Sequence, residues 1–179
     1  MGTTTHLTID DFENLPAAQA EGHELVDGEL VDVSGNTPEH IEIRDLLTEL
    51  LRPFVRKHRI GRVYSELEYD FDGNAHGPDV SFIRADQVPL IQRNKRVQRF
   101  VPDLAVEVVS ANDSYKSLSR KKARYRRCGT KEVWIVDPED QEVHIYSETG
   151  DRILRGDAEL STPLLPGFRI QVKDLFETE

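Results

Sequence analysis

The chain has 179 residues, 37% of them apolar and 31% charged, with a formal net charge of −10. That length suits one domain spanning 1–179 and buries about 70% of the unfolded surface, so no disulfide or structural zinc is needed to hold it. The single cysteine, Cys128, excludes an intrachain disulfide and a cysteine-rich zinc site. An acidic balance argues against a protein that coats nucleic acid.

The charge is unevenly spread. Residues 93–131 carry 12 of the 23 Lys and Arg against three acids, a local +9, which leaves −19 for the rest. Residues 1–51 hold twelve acids and one base, Arg44. A basic segment in an acidic chain can hold a polyanion locally, or it can be a solvated helix face offset by the acids around it. The start of the chain lacks a basic, apolar leader, and no stretch approaches the roughly 20 apolar residues of a membrane span. A cytoplasmic location, with no membrane partner, is the expectation.

In chain order, Thr8 with Asp10 and Asp11 reads as a capped helix start, and that helix is expected to end near Pro16. His23 to Val31 reads as a hairpin turning at Asp27-Gly28, because both turn positions need positive φ. A long helix follows, capped by Asn36 or Thr37, with Pro38 in its first turn. Ile43, Leu46, Leu47, Leu50, Leu51, Phe54 and Val55 fall at i, i+3, i+4, i+7 spacing, a stripe that faces a core. Pro53 is expected to kink this helix without ending it, and Gly61 to stop it.

Strand-like runs come next: an alternating stretch from Arg62 to Asp70, then Asp79–Arg84, Asp103–Val109 and Glu132–Asp137. Leu104, Val106 and Val108 would face one side of a sheet, and Asp103, Ala105 and Glu107 the other. Gln141–Ser147 pairs with Glu132–Asp137 through the turn at Asp137-Pro138-Glu139-Asp140. Ser114–Arg127 reads as a helix ended at Gly129, making a strand–helix–strand unit that favours a parallel crossover. Short strands near Arg152–Leu154 and Arg169–Val172 close the chain. The fold class is α/β in the broad sense, an α+β mixed sheet flanked by helices.

Two acids stand apart from the surface carboxylates. Asp79 opens an apolar strand after Gly77-Pro78, and Glu107 sits inside one. A carboxylate in such a run lies either on a solvated sheet face or in a site, since burial without a partner costs several kcal/mol. Leu118 and Tyr125 mark the inner face of the basic helix, and Lys121 and Lys122 lie between them. Two carboxylates on neighbouring strands can hold Mg²⁺, which takes oxygen ligands. A lysine beside them can orient water or steady developing negative charge. That inventory suits metal-assisted hydrolysis of a phosphodiester.

Pro78-Asp79, Glu107-Val108-Val109-Ser110, Lys121 with Tyr125 four residues later, Gly129, and Glu132 through Pro138 together resemble the Uma-two family of restriction-endonuclease-like proteins, within the PD-(D/E)XK nuclease superfamily. The segment Glu24-Leu25-Val26-Asp27-Gly28-Glu29-Leu30 and His40 also match, so the likeness covers about residues 8–175. It implies a restriction-endonuclease-like core. It implies Asp79 and Glu107 as ligands of Mg²⁺, for which Mn²⁺ could substitute, and the carbonyl of Val108 as a candidate third ligand. It implies Lys121 as the catalytic lysine and Glu24 as a further acid near the metal. In the wider superfamily the lysine stands two residues after the acid, where this chain has Val109. Within this family it has moved to the next helix. Helix geometry leaves Lys121 and Lys122 both open, and the spacing to Tyr125 favours Lys121.

Other residues carry less. His40 reads as a polar residue near a helix start. His6, His23, His58, His76 and His144 lack metal-ligand spacing. Cys128 has no partner base in local sequence, and Trp134 reads as core. The expectation is an endonuclease acting on DNA, a hydrolase of phosphodiesters, expected as a homodimer because two sites cut two strands. The rival expectations are the same fold kept as a silent module that binds nucleic acid or a protein partner, and a hydrolase of small phosphoesters.

Overall fold

The protein is described here by a computed structural model that covers residues 6–33, 35–110 and 113–177. Two short helices open it, α1 (Ile9–Glu13) and α2 (Ala17–Ala20), followed by the hairpin β1 (His23–Val26) and β2 (Glu29–Asp32) and the long α3 (Pro38–His58). Then come β3 (Gly61–Ser65), β4 (Glu68–Asp70), β5 (Ala75–His76), β6 (Val80–Arg84), β7 (Val97–Gln98) and β8 (Leu104–Val108). Helix α4 (Tyr115–Arg127) leads to β9 (Glu132–Asp137), β10 (Glu142–Ser147), β11 (Arg152–Arg155), β12 (Glu159–Ser161) and β13 (Arg169–Gln171).

The main sheet has six strands in the order β11-β10-β9-β8-β6-β3. Its pairs are antiparallel except β8 with β9, which run parallel because α4 carries the chain from one end back to the other. A second sheet, β2-β1-β5-β4-β7, stands beside it, and β12 pairs with β13. This mixed α+β architecture is the one expected from the sequence. Among the described residues no helix is long and apolar enough to cross a membrane.

Strand β8 is buried along its whole length, and its two faces differ as the alternation requires. Leu104, Val106 and Val108 join Leu47, Leu51 and Val55 of α3 in the largest core cluster. Ala105 faces the other way, with Tyr125 of α4, Tyr69 of the second sheet and Phe71 just after β4. Glu107 shares that second face, so α4 and the second sheet are the elements that can meet it.

The capping and turn chemistry follows the sequence. Thr8 caps α1 in a reciprocal capping box with Asp11. Asp27 and Gly28 both take positive φ, 50° and 82°, as a type I′ turn demands. Thr37, not Asn36, caps α3, and the helix runs through Pro53.

Two expectations are corrected. Arg59, in the left-handed region at φ 55°, ends α3, so the helix stops before Gly61. Gly61 instead opens β3, where a Cβ would lie 2.0 Å from the Ile83 carbonyl oxygen of β6. The run from Arg62 to Asp70 is two strands in two sheets, broken at Glu66, whose φ is 52°. The short α2, β5, β7 and β12 carry too few residues for a periodicity to show. Replacing Gly61 by Ala is expected to destabilise the fold by about 1–3 kcal/mol, because the obstructing atom is backbone and cannot rotate aside. Urea unfolding checks this, and an unchanged midpoint would contradict it.

Candidate active site

The end of β8 is where the elements meet. Antiparallel pairing of β6 with β8 sets Val80 beside Val106, which brings Asp79 to the exit of the strand. Asp79 Oδ2 accepts the Val108 N–H at 2.7 Å, and Oδ1 lies 2.9 Å from His40 Nε2 near the start of α3. One residue before Val108, Glu107 reaches toward α4. The Lys121 ammonium donates to its Oε2 at 3.0 Å and the Tyr125 hydroxyl to its Oε1 at 2.6 Å. The four-residue spacing of Lys121 and Tyr125 places both on one helix face.

The second sheet closes the group. Glu24 of β1 lies 3.1 Å from Lys121 Nζ, accepts the Gly77 N–H at 3.0 Å, and meets His76 Nδ1 of β5 at 2.8 Å. On its other nitrogen, His76 Nε2 sits 3.0 Å from Arg124, which also pairs with Asp27 of the hairpin turn at 2.7 Å. Glu24, Asp79 and Glu107 are only 5%, 8% and 6% exposed. They form part of the floor of one open cavity of about 630 Å³, walled by the β1–β2 hairpin and by α4.

All four residues named from the sequence, Glu24, Asp79, Glu107 and Lys121, therefore converge. The neighbouring Lys122 points elsewhere, its ammonium 3.7 Å from the centre of the Tyr146 ring. Two further residues take part: His40, which the family likeness matched without giving it a role, and His76, which the sequence reading set aside. His40 is not a mere helix-start residue but is 4% exposed and bonded to Asp79. His76 links Arg124 to Glu24, and its only local signal was standing three residues before Asp79. Ser110 bonds Asp113, and Ser114 caps α4. Trp134 is core, its indole N–H bonded to buried Glu132, and Cys128 is the C-cap of α4.

Burial and charge set the protonation states. Burial pushes the Glu107 carboxyl up to about 8, with Asp79 and Glu24 adding to the rise against the pull of Lys121. Burial alone would raise Glu24 too, but Lys121 and His76 bring it down to about 2. Burial disfavours the Lys121 ammonium, yet Glu107 and Glu24 more than compensate and hold it well above the usual lysine range. Lys121 is thus a fixed cation and hydrogen-bond donor, not a proton acceptor. Burial lowers His76 below the ordinary imidazole despite Glu24. A neutral His76 donates from Nδ1 to Glu24 and accepts Arg124 at Nε2. At His40 burial works against the charge, but the bond to Asp79 raises it overall.

These shifts predict a pH profile for the metal-free protein. Glu107, raised from 4.5 to about 8, favours the fold fully below pH 4.5 and loses that contribution as pH climbs through 8. Glu24, lowered to about 2, acts oppositely: its contribution is present above 4.5 and lost as pH falls through 2. In EDTA, the urea midpoint of Glu107→Gln is expected to change less between pH 5 and pH 8 than that of the unaltered chain. Equal slopes would contradict the shift.

The donor set bears on a metal. Among the described residues no three His, Cys, Asp or Glu side chains form a ready cage for an ion. Mg²⁺ does not require one: it binds through one or two carboxylates and completes its shell with water and substrate phosphate. Asp79 and Glu107 are hard-oxygen donors close enough that the charge of Asp79 raises Glu107. A divalent cation would relieve that repulsion, so the residues fit the group.

The mixed sheet, with α4 crossing between its parallel pair and a carboxylate at the end of each of two adjacent strands, belongs to the restriction-endonuclease-like class of folds. A crystal structure titled "a putative nuclease belonging to DUF820", from Anabaena variabilis ATCC 29413, superposes with a TM-score of 0.84 at 23% identity, covering 95% of this chain and 97% of that one. No curated protein matches the chain. The profile of the Uma2 family, described as "Putative restriction endonuclease", matches residues 9–173. The chain belongs to the Uma2 family.

Proposed function

We propose that the protein is a Mg²⁺-dependent endonuclease that hydrolyses phosphodiester bonds of DNA. The observation that carries this is the meeting of Asp79, Glu107 and the Lys121 ammonium on the floor of one cavity, in a chain of the Uma2 family. Asp79, Glu107 and the Val108 carbonyl would hold the ion. When bound, it would polarise a phosphoryl oxygen and lower the pKa of a water.

The protein's own groups do the rest. Lys121, locked as a cation, donates to a non-bridging phosphate oxygen and steadies the charge that grows there. Glu24 and the neutral His76 keep that ammonium aimed into the cavity. Tyr125 fixes the Glu107 rotamer, and His40 with the Val108 N–H fixes Asp79. Arg120 of α4, at the cavity wall, is placed to meet a flanking phosphate.

The test is DNA incubated with Mg²⁺ or Mn²⁺ and, in parallel, with EDTA, alongside calorimetric titration of Mg²⁺. Metal-dependent cleavage and a binding heat lost in Asp79→Ala are expected. Absence of both would defeat the reading. One observation favours a second reading, a silent nucleic-acid-binding module: each oxygen of Asp79 and Glu107 already has a protein partner. Salt-dependent DNA affinity without cleavage would mark it.

A further inference from the structure

We infer that the cavity admits an unpaired DNA strand, such as a single strand, a flap or a frayed end, in preference to intact duplex. The inference rests on the phosphodiester reading above and narrows its substrate.

Depth is the first ground. The carboxylates are almost fully covered, at the bottom of a cavity of about 630 Å³, a volume in the class of small-ligand pockets. Duplex DNA is stiff, with a persistence length of about 150 base pairs, and displays its phosphates on its outside. A scissile phosphate reaches this floor when its strand leaves the helix and enters alone.

The mouth is the second ground. Arg124 ties the two walls together, from α4 to Asp27 in the hairpin turn at 2.7 Å and to His76 of β5 at 3.0 Å. That bond joins helix and hairpin through two residues that both line the cavity.

Charge is the third. Of the cavity walls, α4 supplies Arg120, Lys121 and Arg124, whereas the far side carries Asp27, Asp32 and Glu66 beside the aliphatic Val26 and Val31. One sugar–phosphate backbone can run along α4 with its bases toward the valines. The second backbone of a duplex would meet the hairpin wall, which lines the cavity with no Lys or Arg among the described residues. Part of the basic segment is engaged elsewhere. Lys95 pairs with Glu13, Arg96 with Glu68, and Arg99 with Asp10 and Asp70. These three cations of the segment are thus engaged by acids outside the cavity, and the cations that line the cavity itself are those of α4.

The experiment uses Glu107→Gln, which keeps the shape of the site. Its binding to a fluorescent single strand, to the blunt duplex of the same sequence and to a flapped duplex is measured by anisotropy, and the unaltered chain with Mn²⁺ is assayed for cleavage of each. Single strand and flap are expected to bind on the order of tenfold tighter than blunt duplex, with a salt slope of roughly −2 for about three phosphate contacts. Equal or tighter duplex binding, or no binding at all, would overturn the inference. Duplex cut as fast as single strand would overturn it while leaving the nuclease reading intact. Single-strand binding without cleavage would do the reverse. Asp27→Asn tolerates the left-handed turn position but weakens the tie to Arg124. It is expected to lower the preference for unpaired strand, and an unchanged preference would remove the role given to that tie.

Discussion

Asp79→Asn is expected to lower metal-dependent DNA cleavage about a thousandfold while leaving the protein folded. An ion that stabilises the transition state by several kcal/mol is worth about that factor, at about 1.4 kcal/mol per tenfold. The amide keeps an oxygen for the Val108 N–H, which Asp79 now accepts at 2.7 Å, and a polar atom toward His40. It loses the negative charge. Alanine at the same position removes both partners and leaves a buried donor unsatisfied, at a cost of about 1–3 kcal/mol. The pair therefore separates chemistry from folding. Asparagine should lose activity and Mg²⁺ binding with a near-native urea midpoint, whereas alanine should lose stability as well. An asparagine variant that keeps more than about a tenth of the activity would exclude Asp79 as a ligand.

The second large effect is on stability. Lys121 is the ammonium lying 3.0 Å from Glu107 and 3.1 Å from Glu24, and both carboxylates are buried. Removing one partner of a buried ion pair leaves the other uncompensated and costs about 3–5 kcal/mol. Lys121→Met is expected to show a loss of that size near pH 8. Without the ammonium both carboxyls favour their protonated forms. Glu24 then loses the pull that holds it low and Glu107, already raised, goes higher still, so the stability lost is least in acid and grows with pH. The neighbouring Lys122→Met is the comparison. Its ammonium rests on the Tyr146 ring, a contact worth about 0.5–1 kcal/mol at a partly exposed site. Urea titrations of both variants at pH 5 and pH 8 decide. Equal losses for the two lysines would show that Lys121 is not the counter-ion of a buried site.

Much of the site was legible because two of its members break a pattern. Asp79 stands at the start of an apolar strand and Glu107 within one, and a buried charge there demands a partner. Helix geometry left Lys121 and Lys122 both open, and Lys121 was legible through the family likeness and its four-residue spacing to Tyr125. His76 and Arg124 break no local pattern: a histidine in a two-residue strand and an arginine on a basic helix look like any surface residue. Their part follows from β5 lying beside β1 and from α4 crossing over both, which no local window reports. The split of the stretch from Arg62 to Asp70 was hidden for the same reason. Alternation continues across it, while the left-handed turn at Glu66 sends the two halves into different sheets.

The amino-acid sequence by itself determined the helix α3 with its buried stripe, the Asp27-Gly28 turn, the two-faced strand β8 and the carboxylates that needed company, since each is written in spacing or in turn chemistry over a few residues. The tertiary structure alone decided what the charge means. A net −10 with a +9 segment was compatible with a basic docking face. The fold instead turns Lys95, Arg96 and Arg99 onto acids from distant parts of the chain and leaves α4 to line the cavity. Coulomb attraction acts through space, so the partner of each charge is fixed only once the sheets have brought remote residues within a few ångströms.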